Sequence, residues 1–376
     1  MKIMQYCQHV LGVGHFFRSM AIAAAFDRHH VLFVEGGEPL PGFIPPSHVE
    51  RVFLTPLVMD SEFSRVEARQ GNIDEIKAQR RSLLAETFRS YAPDVLIVEL
   101  FPFGRKFFQF ELLPLLQAIR QEQTTVKVVC SLRDILVEKK DQTSYEKRVL
   151  NILNSYFDLL VIHSDPALAP LDETFYRIDQ IRIPIEYTGF VVRRIPSAAA
   201  KRTAGLIVAS GGGSRVGTDL LAATIRAVQI LPGKEMKLRA FTSPFAEKDE
   251  QLELADLAAQ DQRTRLFPFT PDFLNELAGA ELSISMAGYN TCMDILTTGV
   301  SALVYPFPQN REQTMRAQKL HQLGVLEVLE SLQIEYLAAA ISARLEKTGP
   351  SPNIDSILTE GAANTVRVVE KYFGKP

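Results

Sequence analysis

The sequence predicts an α/β protein built as two successive domains, each around a parallel sheet. Three observations carry that reading. Short apolar runs ending in polar or glycine residues alternate with amphipathic stretches, the pattern of strand–loop–helix units. A glycine loop follows the first strand of each half: Gly12 and Gly14 near the start, then Ser210-Gly211-Gly212-Gly213-Ser214-Arg215. The 376 residues suffice for two cores, and Arg193–Thr203 is polar, small and proline-bearing, as a linker is. The first domain is placed at 1–195 and the second at 203–355.

Composition narrows the function. Hydrophobic residues make up 46% of the chain and charged residues 23%, with a net charge of −3, so no basic field argues for nucleic acid. Cys7, Cys130 and Cys292 lie far apart in apolar runs with no C-x-x-C. That excludes a disulfide frame and a zinc site and fits a reducing cytosol. No apolar run reaches the ~18 residues of a spanning helix. The apolar N-terminal stretch is broken by His9, Gly12, Gly14, His15 and Arg18, so it does not read as a signal peptide.

Lys2–Cys7 is the first strand. The loop after it reads G-V-G-H-F-F-R-S, and His15–Phe26 continues as a helix with Met20, Ala23, Ala24 and Phe26 at apolar positions. Gly12 and Gly14 let the backbone approach a ligand, and Arg18 follows one turn on. His15 lands at the helix start, and imidazole is the side chain most easily used as a general base near neutral pH. A capping His without chemistry is the plainer alternative. His30–Glu35 and Val49–Leu54 are further strands around a Gly/Pro-rich loop, Gly36–Pro46. Asp60–Tyr91 reads as a mostly helical polar region whose Arg80-Arg81 and Glu67/Arg69 charges face solvent.

Pro93–Val98 is a buried strand ending in Glu99. Phe101–Leu116 then carries more aromatics than one helix face holds. Beside Arg105 and Lys106 they read as a lipid-facing patch, an apolar acceptor pocket or a packed helix. Val126–Ser131 runs to Arg133-Asp134, a helix covers Tyr145–Tyr156, and strand Leu159–His163 ends at His163 and Asp165. Three successive strands thus finish in Glu99, Arg133/Asp134 and His163/Asp165. In a parallel sheet such ends converge on one rim, a candidate acceptor side. Singly, each is equally a turn residue or a cap.

In the second half, strand Gly205–Ala209 runs into the glycine loop, and a helix follows from Thr218. The loop has neither the P-loop nor the G-x-G-x-x-G spacing. Met236–Phe241, a helix over Glu247–Ala259 and Thr264–Phe267 come next. Glu281–Ser285 is a buried strand, followed by a turn at Ala287-Gly288 and a helix from Tyr289 to a stop at Gly299. Cys292, Ile295 and Leu296 form its packed face, and Thr291 and Asp294 share another. Strand Ala302–Tyr305 leads through Pro306 and Pro308 to a helix opened by Arg311, Glu312 and Gln313. A helix start beside a glycine turn accepts a diphosphate. A carboxylate one turn in can accept from both ribose hydroxyls, and a Glu-Gln pair can bond sugar hydroxyls. Taken singly, these pieces are equally a capped helix, a structural glycine and solvated polar residues.

Together, G-Y-N-T-x-x-x-D (Gly288, Tyr289, Asn290, Thr291, Asp294), an apolar strand and P-F-x-x-x-R-E-Q resemble the nucleotide-sugar half of GT-B glycosyltransferases. The wording is similar to the glycosyltransferase 28 type that includes the bacterial peptidoglycan GlcNAc transferase, and to a set of predicted bacterial glycosyltransferases. The resemblance implies two Rossmann-like domains facing a cleft, with Gly361–Phe373, in the tail 361–376, crossing back to the first domain. It implies ribose at Asp294, donor sugar at Glu312 and Gln313, and diphosphate at the Gly211–Arg215 loop. Phe267–Phe273, F-P-F-T-P-D-F, matches the family's loop under the nucleobase, which points to Thr270. The acid here is Asp where the family has Glu, and Glu312 stands in place of a Gln.

The G-x-G-H-x-x-R wording resembles the first loop of the same enzymes, and of nucleotide-sugar hydrolases of that fold, where the matching His is the proposed base. The implied activity is inverting, metal-independent sugar transfer from a UDP-sugar to an acceptor hydroxyl, with no cofactor. No D-x-D motif is present. The acceptor is a small molecule or lipid-linked, and the site of action the cytoplasm or the inner membrane face. A nucleotide-sugar hydrolase or 2-epimerase, and a non-catalytic nucleotide-sugar-binding protein, are the alternatives.

Overall fold

A computed structural model describes residues 1–9, 14–40, 42–59, 66–67, 71–193, 201–212, 215–233, 235–243, 246–346 and 356–374. The chain divides into two compact units, Met1–Val191 with Ile357–Pro376, and Val192–Ser356. Of the expected linker, residues 194–200 lie outside the described residues.

In the first unit the elements run β1 (Lys2–Gln8), α1 (Gly14–Ala25), β2 (His30–Gly36), β3 (Val49–Leu54), the short pair β4 (Val58–Met59) and β5 (Val66–Glu67), α2 (Ile73–Tyr91), β6 (Val95–Glu99), α3 (Gln109–Gln121), β7 (Lys127–Arg133), α4 (Gln142–Tyr156), β8 (Leu159–His163) and β9 (Ile185–Tyr187). The sheet order is β3-β2-β1-β6-β7-β8-β9, and every pairing in it is parallel. A parallel sheet has both faces covered, so its strands are apolar on both sides. That is the case in β1, where Ile3 and Cys7 enter one core cluster and Met4 and Tyr6 the other. The order reverses between β1 and β6. Such a switch point opens a crevice at the carboxyl ends of the strands.

The second unit repeats this plan with β10 (Leu206–Ser210), α5 (Arg215–Ile230), β11 (Lys237–Phe241), α6 (Lys248–Ala259), β12 (Thr264–Phe267), α7 (Phe273–Gly279), β13 (Leu282–Met286), α8 (Tyr289–Thr298), β14 (Ser301–Tyr305), α9 (Arg311–Gln322), β15 (Glu327–Val328) and α10 (Ile334–Glu346). Its parallel sheet is ordered β12-β11-β10-β13-β14-β15, with the switch between β10 and β13. The last helix, α11 (Gly361–Phe373), returns to the first unit as expected and packs on α1. A Cβ at Gly361 would stand 2.3 Å from the Gly189 carbonyl, so only glycine allows this approach.

Most of the described part of Asp60–Tyr91 is helix, Ile73–Tyr91, with Val66–Glu67 a short strand. One expectation needs correction: Arg80 does not face solvent. It is 1% exposed and holds Glu111 through Nε (2.8 Å) and Nη2 (2.6 Å), Gln8 through Nη2 (2.7 Å) and the Thr55 carbonyl through Nη1 (2.6 Å). Tyr6 completes the cluster by donating to Glu111 at 2.5 Å. A buried charge persists when its partners satisfy it, and here one of them, Gln8, is the last residue of β1.

Candidate functional site

At the first switch point, β6 ends in Glu99, and α1 begins at Gly14 and His15. Glu99 Oε1 lies 2.5 Å from His15 Nδ1 and 2.5 Å from Arg18 Nη2, and that guanidinium nitrogen is 3.2 Å from Nδ1. Arg18 sits one turn after His15, so both reach the same carboxylate from one helix face. Arg105 Nε stands 3.6 Å from Glu99 Oε2, held by a left-handed backbone (φ 56°) that a side-chain-bearing residue adopts only when its surroundings enforce it.

Glu99 is 1% exposed, whereas the His15 side chain is 24% exposed. Burial alone would raise the Glu99 pKa. The pairing with His15 and the charges of Arg105 and Arg18 reverse that and hold it well below the usual carboxylate range. His15 is pushed down to about 3, by burial first and then by Arg105, so it is neutral at physiological pH. An ionised carboxylate only accepts, which assigns the imidazole proton to Nδ1 and leaves the Nε2 lone pair as the basic position. No described residue bonds that nitrogen. Gly12, expected beside it, lies outside the described residues.

Among the other expected acceptor-side residues, His163 lies within electrostatic reach of Arg18 and Glu99. Arg133 and Asp134 pair with each other at 3.6 Å, with Asp134 1% exposed. His163 is fully buried, with Nε2 2.7 Å from Ser131 Oγ and Nδ1 3.0 Å from Thr188 Oγ1. Both ring nitrogens are engaged, and burial lowers its pKa to about 3. Asp165 accepts from the backbone N–H groups of Ala167 (2.9 Å) and Leu358 (3.0 Å), tying the returning tail to the first unit. His163 and Asp165 thus stand at the end of β8 and just after it, buried and held by Ser131, Thr188 and the backbone of Ala167 and Leu358.

The aromatic run also resolves inward. Phe101, Phe103 and Phe108 are core residues, Phe110 packs against the core, and Phe107 is 41% exposed. The expected patch thus reduces to one ring. The described residues include no helix long and apolar enough to cross a membrane.

At the second switch point the lining is backbone. β10 ends at Ser210, and Gly211 and Gly212 follow. A Cβ on Gly211 would lie 2.6 Å from the Gly217 carbonyl, and one on Gly217 would lie 1.7 Å from the Gly211 carbonyl. The two glycines therefore fasten the loop to the first turn of α5. Gly213 and Ser214, and the side chain of Arg215, lie outside the described residues. Across the switch, Gly288 caps α8 with no side-chain hydrogen bond, and a Cβ there would meet nothing nearer than Thr291 Oγ1 at 4.0 Å. The neighbours do not require glycine there.

Tyr289 is buried, and Asn290 and Thr291 are half-buried. Asp294, one turn in, is 2% exposed and takes a two-pronged ion pair from Arg193: Nε to Oδ1 at 3.0 Å, and Nη2 to Oδ2. Burial raises the Asp294 pKa, against the pull of Arg193. Thr270 accepts from the Asp272 N–H at 3.1 Å. Glu312 is held by Arg316 at 2.8 Å, and the Gln313 side chain accepts from the Phe307 N–H at 3.0 Å. Arg316, absent from the sequence expectations, is 2% exposed and lies over the Tyr289 ring at 5.3 Å. The i, i+4 spacing from Glu312 is its only sequence signal. Gly217 was visible as a helical glycine, a residue that usually signals nothing beyond weaker helix propensity.

Residues 208–356 match the model of the glycosyltransferase family 28 C-terminal domain. A UDP-N-acetylglucosamine–N-acetylmuramyl-(pentapeptide) pyrophosphoryl-undecaprenol N-acetylglucosamine transferase from Dichelobacter nodosus is 30% identical over 170 residues, 44% of each chain. The match thus spans less than half of that relative's length. Among solved structures, a spinosyn rhamnosyltransferase with thymidine diphosphate aligns at TM-score 0.62 and 16% identity, over 98% of this chain and 100% of that one. A putative UDP-N-acetylglucosamine 2-epimerase from Listeria monocytogenes aligns at 0.67 and 14%, over 100% and 97%.

Proposed function

We propose that this chain, a GT-B protein whose residues 208–356 form a family 28 C-terminal domain, is a glycosyltransferase that moves a sugar from a nucleoside diphosphate donor to an acceptor hydroxyl. One observation carries the reading: His15, at the start of α1, has its Nδ1 2.5 Å from the buried Glu99 carboxylate, which leaves Nε2 for a substrate proton. A base so oriented takes a proton at Nε2, and Glu99 then balances the imidazolium. The acceptor oxygen attacks the anomeric carbon, the bond from that carbon to the diphosphate breaks, and the proton goes to His15. A single displacement of this kind inverts the anomeric centre.

The second unit would hold the donor. The start of α8, with the glycine turns after β10 and β13, would offer a helix dipole to the diphosphate. Asp294 would take the ribose, the Thr270 loop the base, and Glu312 with Gln313 the transferred sugar. UDP is the proposed nucleotide because the transferase that matches 170 residues of this chain is named for a UDP-sugar. The acceptor class extends from small molecules to a lipid-linked hydroxyl at the inner membrane face. A His–Glu pair also activates water, so hydrolysis is the second reading. A panel of nucleotide sugars incubated without acceptor separates the two. Stable donors that are consumed only when acceptor is added support transfer, and stoichiometric hydrolysis without acceptor supports the rival.

A further inference from the structure

Asp294, the carboxylate assigned to the donor ribose, is not vacant. Arg193 occupies both of its oxygens, one through Nε at 3.0 Å and the other through Nη2. Its Nη1 lies 3.5 Å from the carbonyl of Pro271, the residue after Thr270 in the loop assigned to the nucleobase. The guanidinium therefore spans the positions assigned to the ribose and to the edge of the base. Asp294 is 2% exposed with Arg193 in place, so two ribose hydroxyls cannot reach the carboxylate until the guanidinium leaves.

Arg193 is able to leave. Its side chain is 24% exposed, so one flank already meets water. It stands at the start of the second unit, just before residues 194–200. The far end of that connection is tied to the same helix: Arg202 donates through Nη2 to the carbonyls of Thr298 (2.9 Å) and Gly299 (2.5 Å), at the close of α8. Arg193 and Arg202 thus both hold α8, one at its middle and one at its close. The Arg202 contact meets backbone carbonyls at a helix C-terminus, where a cation is at rest. The Arg193 contact meets the side chain on the helix assigned to the donor ribose.

We propose that Arg193 is a placeholder in the nucleoside site, occupying the ribose carboxylate in the free protein and exchanged for ribose hydroxyls when the donor binds. The inference rests on the donor-site reading above and adds a determinant of donor affinity to it. A buried carboxylate stripped of its partner is costly, so the placeholder keeps the empty site stable. The same contact taxes binding, because the ion pair must break before the ribose bonds form.

The test is calorimetry of UDP and of thymidine diphosphate against wild type, Arg193→Ala, Arg193→Lys, Asp294→Asn and the Arg193→Ala/Asp294→Asn double variant. Removing the competitor should tighten binding roughly 10-fold, the order of one charge-assisted hydrogen bond, with Arg193→Lys in between. The gain should vanish in the Asp294→Asn background. Without ligand, Arg193→Ala should melt lower than wild type, and saturating nucleotide should close most of that gap. If Arg193→Ala is unstable, the same comparison in Arg193→Lys keeps the proposal decidable. Weaker or unchanged binding in Arg193→Ala, with wild type binding normally, makes Arg193 a ligand or a bystander and overturns the placeholder while sparing the donor-site reading. Failure of wild type and Arg193→Ala alike to bind either nucleotide overturns both.

Discussion

The two units share one strand order and one switch point, yet they furnish it with opposite materials. In the first, a buried Glu99 gathers His15, Arg18 and Arg105, so charged side chains make the site. In the second, Gly211, Gly217 and Gly288 bring bare backbone to the same position, and one carboxylate, Asp294, stands behind them. The difference follows from the work proposed for each. Moving a proton needs a group whose charge state is set by its neighbours. Holding a diphosphate needs fixed N–H dipoles that carry no titratable proton. A common scaffold thus separates a tunable edge from a fixed one.

The comparison breaks first at Glu99. Glu99→Gln keeps the shape but removes the charge that orients and balances His15, and should lower turnover about 10²–10³-fold with nucleotide affinity nearly unchanged. Steady-state kinetics beside calorimetry read both, and full turnover would free His15 of its partner. On the other edge, Asp294→Ala should weaken nucleotide binding by about 1–3 kcal/mol, through lost charge-assisted hydrogen bonds. Calorimetry with UDP checks this, and unchanged affinity would remove Asp294 from the donor site.

A third prediction concerns stability, where only the first edge should respond to pH through its histidines. His9, His15 and His163 are lowered from 6.5 to about 4, about 3 and about 3, in each case by burial first. Between those values and 6.5 the unfolded chain binds protons that the folded chain refuses, so stability rises with pH in that window and is lost as pH falls through it. Melting temperature should therefore drop from pH 6.5 towards pH 4, and His163→Gln should flatten the slope. A slope unaffected by His163→Gln would mean that this imidazole is not held neutral.

What the sequence revealed, and what it hid, follows the same division. Strand ends are local: an apolar run closing on Glu99 or on His163 marks both the element and its last residue. The glycine turn before α8 and its stop at Gly299 were readable for the same reason, whereas the return of α11 came only from the family resemblance. Pairing across the fold was not. Arg80 and Glu111 stand 31 residues apart, and Arg193 and Asp294 stand 101 apart, so nothing near either residue announces its partner. His163 shows the cost of reading ends without neighbours. It closes a strand as Glu99 does, but Ser131 and Thr188 engage both of its nitrogens. Phe110 looked surplus on one helix because its packing partners come from elsewhere in the first core.

The central claim is that the proton-moving edge and the donor-holding edge do separable jobs. One comparison tests it most directly: single-turnover rate and UDP affinity measured together on His15→Ala. The account predicts a rate lower by about 10²–10⁴-fold, with UDP affinity within about twofold of wild type. Near-normal turnover, or a loss of UDP affinity as large as the loss of rate, would contradict it.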